Sequence, residues 1–292
     1  MSVGENFKNF CSNLKMSEST IQTIQNRYHQ ITKRINLDYY NIDSDTRNSL
    51  YVGSYGRDTE IFTSDIDVLI RLPYDTYVKF NKYSTNGQSA LLQEVKNVLK
   101  KTYSTSYPKG DGQVIGIDFS DGISFEILPS FINNDNTYTH PDSNNGGRWK
   151  ITDPKSEIDA INKLNNETNK NLKRLCRMSR AWKHNCNVPM SGILIDTLAY
   201  KFLQNWNYKD KSYFYYDWMS RDFFKYLKDI EGSQTKWLRP GSNKIIEETG
   251  NFRVKALEAY EKSLAAISYE ENNKEYLASQ KWREIYGSKF PK

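Results

Sequence analysis

The run DIDVLIRLP at residues 65–73 constrains the fold more than any other stretch of this chain. Ile66, Val68, Leu69 and Ile70 give it the apolar density of a buried strand, and Pro73 stops it. Two aspartates stand inside that strand. Bare carboxylates are expensive to bury unless something cationic compensates them. Side chains alternate across a strand, so Asp65 and Asp67 share one face while Ile66 points to the other. They are separated by roughly 6.6 Å along the chain. A salt bridge or a solvated strand end would account for the pair, and so would a metal.

The metal reading narrows quickly. The chain has three histidines (His29, His140, His184) and three scattered cysteines (Cys11, Cys176, Cys186) without a CxxC pair, which argues against a structural zinc site. Any catalytic metal must be held by oxygen. Magnesium takes one or two carboxylates and completes its shell with water and substrate phosphates. Two such ions, about 3.5–4 Å apart, clamp the attacking and leaving oxygens of an in-line phosphoryl displacement.

Just upstream, Gly53 lets the backbone approach a phosphate closely, and Ser54 offers a hydroxyl and an amide N–H to phosphate oxygens. Residues 55–64 leave length for a short helical turn returning to the strand. Further on, in ISFEILPSF, Glu126 sits among apolar neighbours and supplies a third carboxylate. Beside Asp65 and Asp67 it could ligate the catalytic metal and accept a proton from the attacking hydroxyl. Asp118 and Asp121 are nearby alternatives, close to the expected hairpin turn. A lone Asp-x-Asp is a weak motif, and a lone strand glutamate more often faces water. The ordered set of Gly-Ser, Asp-x-Asp and later strand acid carries the weight.

Organisation along the chain is mixed, then helical. Apolar spacing predicts a helix over 17–35, strands at SLYVGSYG and at 65–73, a helix over 89–103, and a hairpin around Ser120–Gly122. Asp153 before Pro154 reads as an N-cap with proline at the first helical position. Helices are expected over 154–165, 168–185, 191–206, 217–230 and 251–286, the last broken near Asn272. The glycine-rich stretch near 145 is taken as the boundary, giving a catalytic lobe with an N-terminal helix over 1–148 and a helical lobe over 149–292. The expected class is α+β.

Composition adds a few limits. No stretch approaches the roughly 20 apolar residues that span a bilayer, no signal-peptide core opens the chain, and the cysteine usage suits a reducing cytoplasm. The formal net charge of +6 is dispersed, with its densest patch at KNLKRLCRMSRAWK. That fits a small polyanion such as a nucleoside triphosphate at least as well as a duplex.

With these residues assembled, the chain resembles the polymerase β nucleotidyltransferase superfamily, and within it the bacterial cGAS/DncV-like nucleotidyltransferases. GSYGRDT…SDIDVLI, FEILPSF, YTHPDSNNGGRWKITDPKSEIDAINKLN and NLKRLCRMSRAWK carry the likeness over most of residues 17–206. The resemblance implies a nucleotidyltransferase lobe, a mixed sheet with helices, packed against a C-terminal helical lobe that closes the nucleotide cleft. It implies Asp65, Asp67 and Glu126 as a triad for two Mg²⁺ ions, with Mn²⁺ able to substitute, and Gly53 and Ser54 as triphosphate ligands. Arg180, Lys183 and Ser191 become further phosphate contacts. Many superfamily members have aspartate where Glu126 stands.

The implied activity is synthesis of a cyclic dinucleotide from two nucleoside triphosphates with release of pyrophosphate, in anti-phage signalling of the CBASS type. The product would act on a downstream effector, and a regulatory protein partner is compatible with this role. No Cys/His insertion of the kind that grips duplex DNA is present, so no duplex activator is expected. Two alternatives stay open: another nucleotidyl transfer, to RNA, an antibiotic or a protein, and a catalytically silent nucleotide-binding module on the same fold.

Overall fold

A computed structural model describes residues 2–61, 65–103 and 108–292. In chain order its elements are α1 (Val3–Asn13), α2 (Glu18–Tyr40), β1 (Ser49–Tyr51), α3 (Gly53–Arg57), β2 (Asp65–Arg71), α4 (Tyr74–Asn81), α5 (Gly87–Lys100), β3 (Lys109–Asp111), β4 (Val114–Asp118), β5 (Ser124–Ile132), β6 (Tyr138–Asp142) and β7 (Arg148–Thr152). They continue with α6 (Pro154–Glu167), α7 (Asn171–Cys186), α8 (Gly192–Asn205), α9 (Tyr216–Lys228), β8 (Lys236–Leu238), β9 (Ile245–Glu247), α10 (Arg253–Glu271) and α11 (Glu275–Tyr286). Among the described residues no helix is long and apolar enough to cross a membrane.

The chain divides into two compact units. One comprises residues 16–56 and 62–155 and is built on a sheet ordered β1-β2-β5-β4-β3, with β6 and β7 extending from β5. The β2–β5 pair is parallel and the other pairs are antiparallel. A fully buried layer covers one sheet face: Ile66, Val68 and Ile70 of β2 and Phe125 and Ile127 of β5 meet Ile24, Ile31 and Ile35 of α2 and Leu91, Val95 and Leu99 of α5. Those helices present apolar residues at three- and four-residue spacing, which supplies the stripe a sheet needs. Helix α2 runs past residue 35 to Tyr40 and ends where Asn41 turns left-handed at φ 53°.

The other unit comprises residues 1–15, 57–61 and 156–292. Trp182, Trp282, Phe7, Phe10, Phe223 and Phe290 are fully buried in its helical core. Helix α1 belongs here, not with the sheet. The glycine-rich stretch near 145 is not the boundary. It forms the tight turn between β6 and β7, where Gly146 and Gly147 take φ 89° and 91°, and the division falls after Lys155.

Candidate active site

Alternation along β2 leaves Asp65 exposed, Ile66 buried, Asp67 half-buried and Val68 buried. The two acids therefore lie on the face opposite the apolar layer. The parallel register with β5 sets Asp65 beside Ser124 and Asp67 beside Glu126. Neighbouring strands are about 4.8 Å apart, so side chains at paired positions on one face are in reach of each other.

In this register the two carboxyl groups act on one another, and the effect is read at Glu126. Burial, first, and then the charges of Asp67, Asp65 and Asp111 raise the proton affinity of Glu126 above the ordinary carboxylate value.

Gly53 closes in from the other side. It takes φ +60°, and a Cβ built on it would lie 1.8 Å from Asp67 Oδ2. The backbone N–H of Val52 donates to the Asp67 carbonyl at 2.9 Å. Glycine is needed at position 53 on both counts: the left-handed backbone and the absence of room for a methyl group. Ser54 follows in α3, half-buried; the turn expected over 55–64 overlaps that helix at 55–57, and residues 62–64 lie outside the described residues.

The alternative acids are committed elsewhere. Asp121 accepts two hydrogen bonds from Arg27, at 3.0 and 2.7 Å, and Asp118 accepts one from Ser124 Oγ at 2.8 Å. Asp111, on β3, escaped the sequence reading although its charge reaches Glu126. A three-residue strand leaves no periodic pattern to detect.

The remaining candidates lie in the helical unit. Arg180 of α7 is buried, with Nη1 at 2.5 Å from Asp196 Oδ1, and Nη2 at 3.0 Å from Asp196 Oδ2 and 3.2 Å from the Gly192 carbonyl. Asp196 Oδ2 also accepts from Arg57 Nε at 3.0 Å and Thr59 Oγ1 at 2.9 Å. Burial opposes the Asp196 anion, but Arg180 and Arg57 outweigh it and hold the carboxyl below its usual range. The guanidinium that the resemblance assigns to phosphate is thus enclosed in an ion pair. Neither Asp196 nor Arg57 was singled out from the sequence, because their pairing is non-local.

Lys183, one turn along α7, is half-buried, and no carboxylate pairs with it among the described residues. Burial, and then the charge of Arg180, lower its proton affinity. Ser191 caps α8, its Oγ accepting from the Leu194 N–H at 3.3 Å.

Comparison with known proteins gives the chain's family and fold. The model of the Second Messenger Oligonucleotide or Dinucleotide Synthetase (SMODS) domain matches residues 1–165, more than half of the chain. A curated relative, the probable cyclic nucleotide synthase IK1_05630 of Bacillus cereus (strain VD146), is 28% identical over 179 residues, which is 57% of this chain and 51% of that protein. The chain thus spans about half the length of the curated relative it matches.

Among solved structures, CdnC of E. coli MS115-1 in its complex with HORMA-deltaN shares 14% identity at a TM-score of 0.71, covering 99% of this chain and 98% of that one. The Vibrio cholerae DncV cyclic AMP-GMP synthase, in complex with a linear intermediate, shares 18% at a TM-score of 0.62, covering 99% and 86%. These likenesses show the fold, which is the α+β, polymerase-β-like architecture expected from the sequence. On the family match, the chain belongs to the Second Messenger Oligonucleotide or Dinucleotide Synthetase family.

Proposed function

We propose that this chain is a metal-dependent nucleotidyltransferase that joins two nucleoside triphosphates into a cyclic dinucleotide, releasing pyrophosphate at each closure. The observation that carries the proposal is the register of Asp67 against Glu126 on adjacent parallel strands, with Gly53 packed on the Asp67 carboxylate.

The donor set suits magnesium or manganese, since it is all carboxylate oxygen. Its excess negative charge, felt as the raised proton affinity of Glu126, is what a divalent cation would relieve. Among the described residues no three such side chains are already drawn into an ion-holding group. The fit is one of charge and donor type, with Asp65, Asp67 and Glu126 as the residues that would hold the ions. Bound there, the metal would neutralise the donor triphosphate and acidify the acceptor hydroxyl.

The chain's own groups do the rest. Gly53 and Ser54 bring backbone and hydroxyl donors to the triphosphate. Lys183 and Ser191 serve as further phosphate contacts. The acceptor hydroxyl oxygen bonds to the α-phosphorus as the bond to pyrophosphate breaks, and its proton passes to Glu126. A second transfer of the same kind closes the ring. Catalysis of this type is mostly positioning and charge neutralisation.

The same reading places the protein in the bacterial cytoplasm, in anti-phage signalling with a regulatory protein partner and a downstream effector. Its three cysteines are free thiols, as a reducing compartment requires, and a chain of the same fold was solved with HORMA-deltaN.

The test is to incubate the protein with labelled triphosphates and Mg²⁺, without added acceptor, and to analyse the product by mass spectrometry. A phosphatase-resistant cyclic product that disappears with Asp67→Asn supports the proposal. Label found only on added RNA, drug or protein overturns it in favour of another transfer chemistry. Undiminished triphosphate binding without turnover overturns it in favour of a silent binding module.

A further inference from the structure

We infer that the helical unit carries a second anion site, for a small metabolite bearing several phosphates. The site is a cavity of about 380 Å³ within that unit, walled by α1, α7 and residues 57–61. Lys8, Lys15, Lys170, Lys173, Arg174 and Arg177 line it, against a single carboxylate, Asp58, among the described residues.

Lys173, Arg174 and Arg177 share one face of α7, with Lys170 at its N-cap, and such a face is ordinarily just solvated. This one is not. The side chains of Lys173 and Arg177 are only 15% and 13% exposed, and the face lines a concavity closed by α1.

Arg174 is the telling group. Its Nη1 lies 3.1 Å from the Asn169 carbonyl, 3.5 Å from Asn171 Oδ1 and 3.1 Å from the Tyr216 hydroxyl, and its guanidinium stacks 4.8 Å from the Tyr213 ring centre. All of these partners are neutral. Among the described residues no carboxylate compensates this recessed cation. Lys15, Arg174 and Arg177 converge closely enough that all three act on the Cys11 thiol in the cavity wall, although burial dominates and pushes that thiol up to about 12. Like charges gathered in a partly desolvated hollow repel one another unless an anion joins them.

Asp58 supplies part of that anion. It sits at φ +56°, rare for a residue with a side chain, and is held by Lys173 at 3.2 Å and by Arg177. It neutralises one charge and leaves most of the cluster open. The volume suits a compact ligand of metabolite size. Arginine forks suit phosphate oxygens. A duplex backbone spreads its phosphates along a rod and cannot bring several of them into one hollow, so the geometry favours the small ligand. An entering polyphosphate competes with Asp58 for Lys173 and Arg177.

The experiment titrates inorganic tripolyphosphate into the full chain by calorimetry, in EDTA so that no divalent cation bridges it to the carboxylates on the sheet. One binding event is expected, weakened at least tenfold by the exposed pair Lys8→Glu and Lys15→Glu, and tightened severalfold by Asp58→Asn. A gain of affinity cannot come from misfolding. Affinity unchanged in the lysine pair overturns the assignment, as does a loss in Asp58→Asn. Displacement by a 20-base-pair duplex RNA at a lower concentration than tripolyphosphate overturns the small-ligand reading. Because the residues lie in the helical unit alone, the outcome is independent of whether Asp67 and Glu126 catalyse anything.

Discussion

Asp67 and Glu126 stand opposite each other across the parallel pair β2–β5, so that each carboxyl group lies in the field of the other. Two acids in that position oppose each other's ionisation, so Glu126 holds its proton to higher pH than an isolated glutamate. The raised carboxyl contributes to stability at low pH, and the contribution fades as pH rises through its folded value. Asp67→Asn removes the repulsion. The variant should melt no lower than the parent in EDTA at neutral pH, lack the melting-temperature rise expected of the parent with Mg²⁺, and fall at least about 100-fold in turnover. An undiminished Mg²⁺ shift in the variant would remove Asp67 from the metal site.

Gly53→Ala should be nearly as damaging without touching a polar group. The added methyl would come within 1.8 Å of Asp67 Oδ2 on a backbone at φ +60°. The carboxylate must move by the order of an ångström, a displacement that can cost about 100-fold in rate, and the left-handed alanine adds about 1–2 kcal/mol of strain. Circular dichroism should show a folded chain, with turnover lost.

Arg180 and Lys183 separate structure from substrate contact. Breaking the buried pair with Arg180→Met leaves Asp196 with Arg57 and Thr59 alone, and should cost about 3–5 kcal/mol in chemical denaturation. Lys183→Ala should leave the unfolding midpoint within experimental error and raise the KM for triphosphate severalfold. A reversed pattern would return the phosphate role to Arg180.

A fourth test reads pH. Burial pushes Asp217 up to about 6, and its Oδ1 has no hydrogen-bond partner among the described residues. Glu270, whose Oε2 is also unpartnered, is raised by burial to about 7, with Asp217 contributing. Between the unfolded value near 3.8 and about 6, the folded state binds the Asp217 proton more tightly, so stability falls as pH rises through that window. Asp217→Asn should therefore raise the melting temperature at pH 8, by the equivalent of about 3 kcal/mol, and leave it unchanged at pH 4. A gain of equal size at both pH values would point to packing in place of charge.

What the sequence made legible follows from the range over which each interaction acts. The helices after Pro154 and the break at Asn272 are written in local apolar spacing and caps, and the structure has them within a few residues. The acids on β2 and β5 were legible for a related reason: a carboxylate inside an apolar strand is a local contradiction, visible before any partner is known. Contacts between distant segments were not. The Arg180–Asp196–Arg57 cluster, the approach of Gly53 to Asp67 and the allegiance of α1 to the helical unit depend on tertiary packing. The short strands β3, β8 and β9 are stabilised by pairing and carry too few residues for a pattern.

The parallel neighbour of β2 is also far away along the chain. Parallel strands need a crossover, and here it includes α4, α5, β3 and β4, all made before Glu126 is reached. During synthesis, Asp65 and Asp67 leave the ribosome well ahead of their partner, on a strand whose inner edge has nothing to pair with. A nascent or truncated chain ending before residue 124 has two of its acids and no third. The three acids therefore come together only on a late, long-range closure of the sheet.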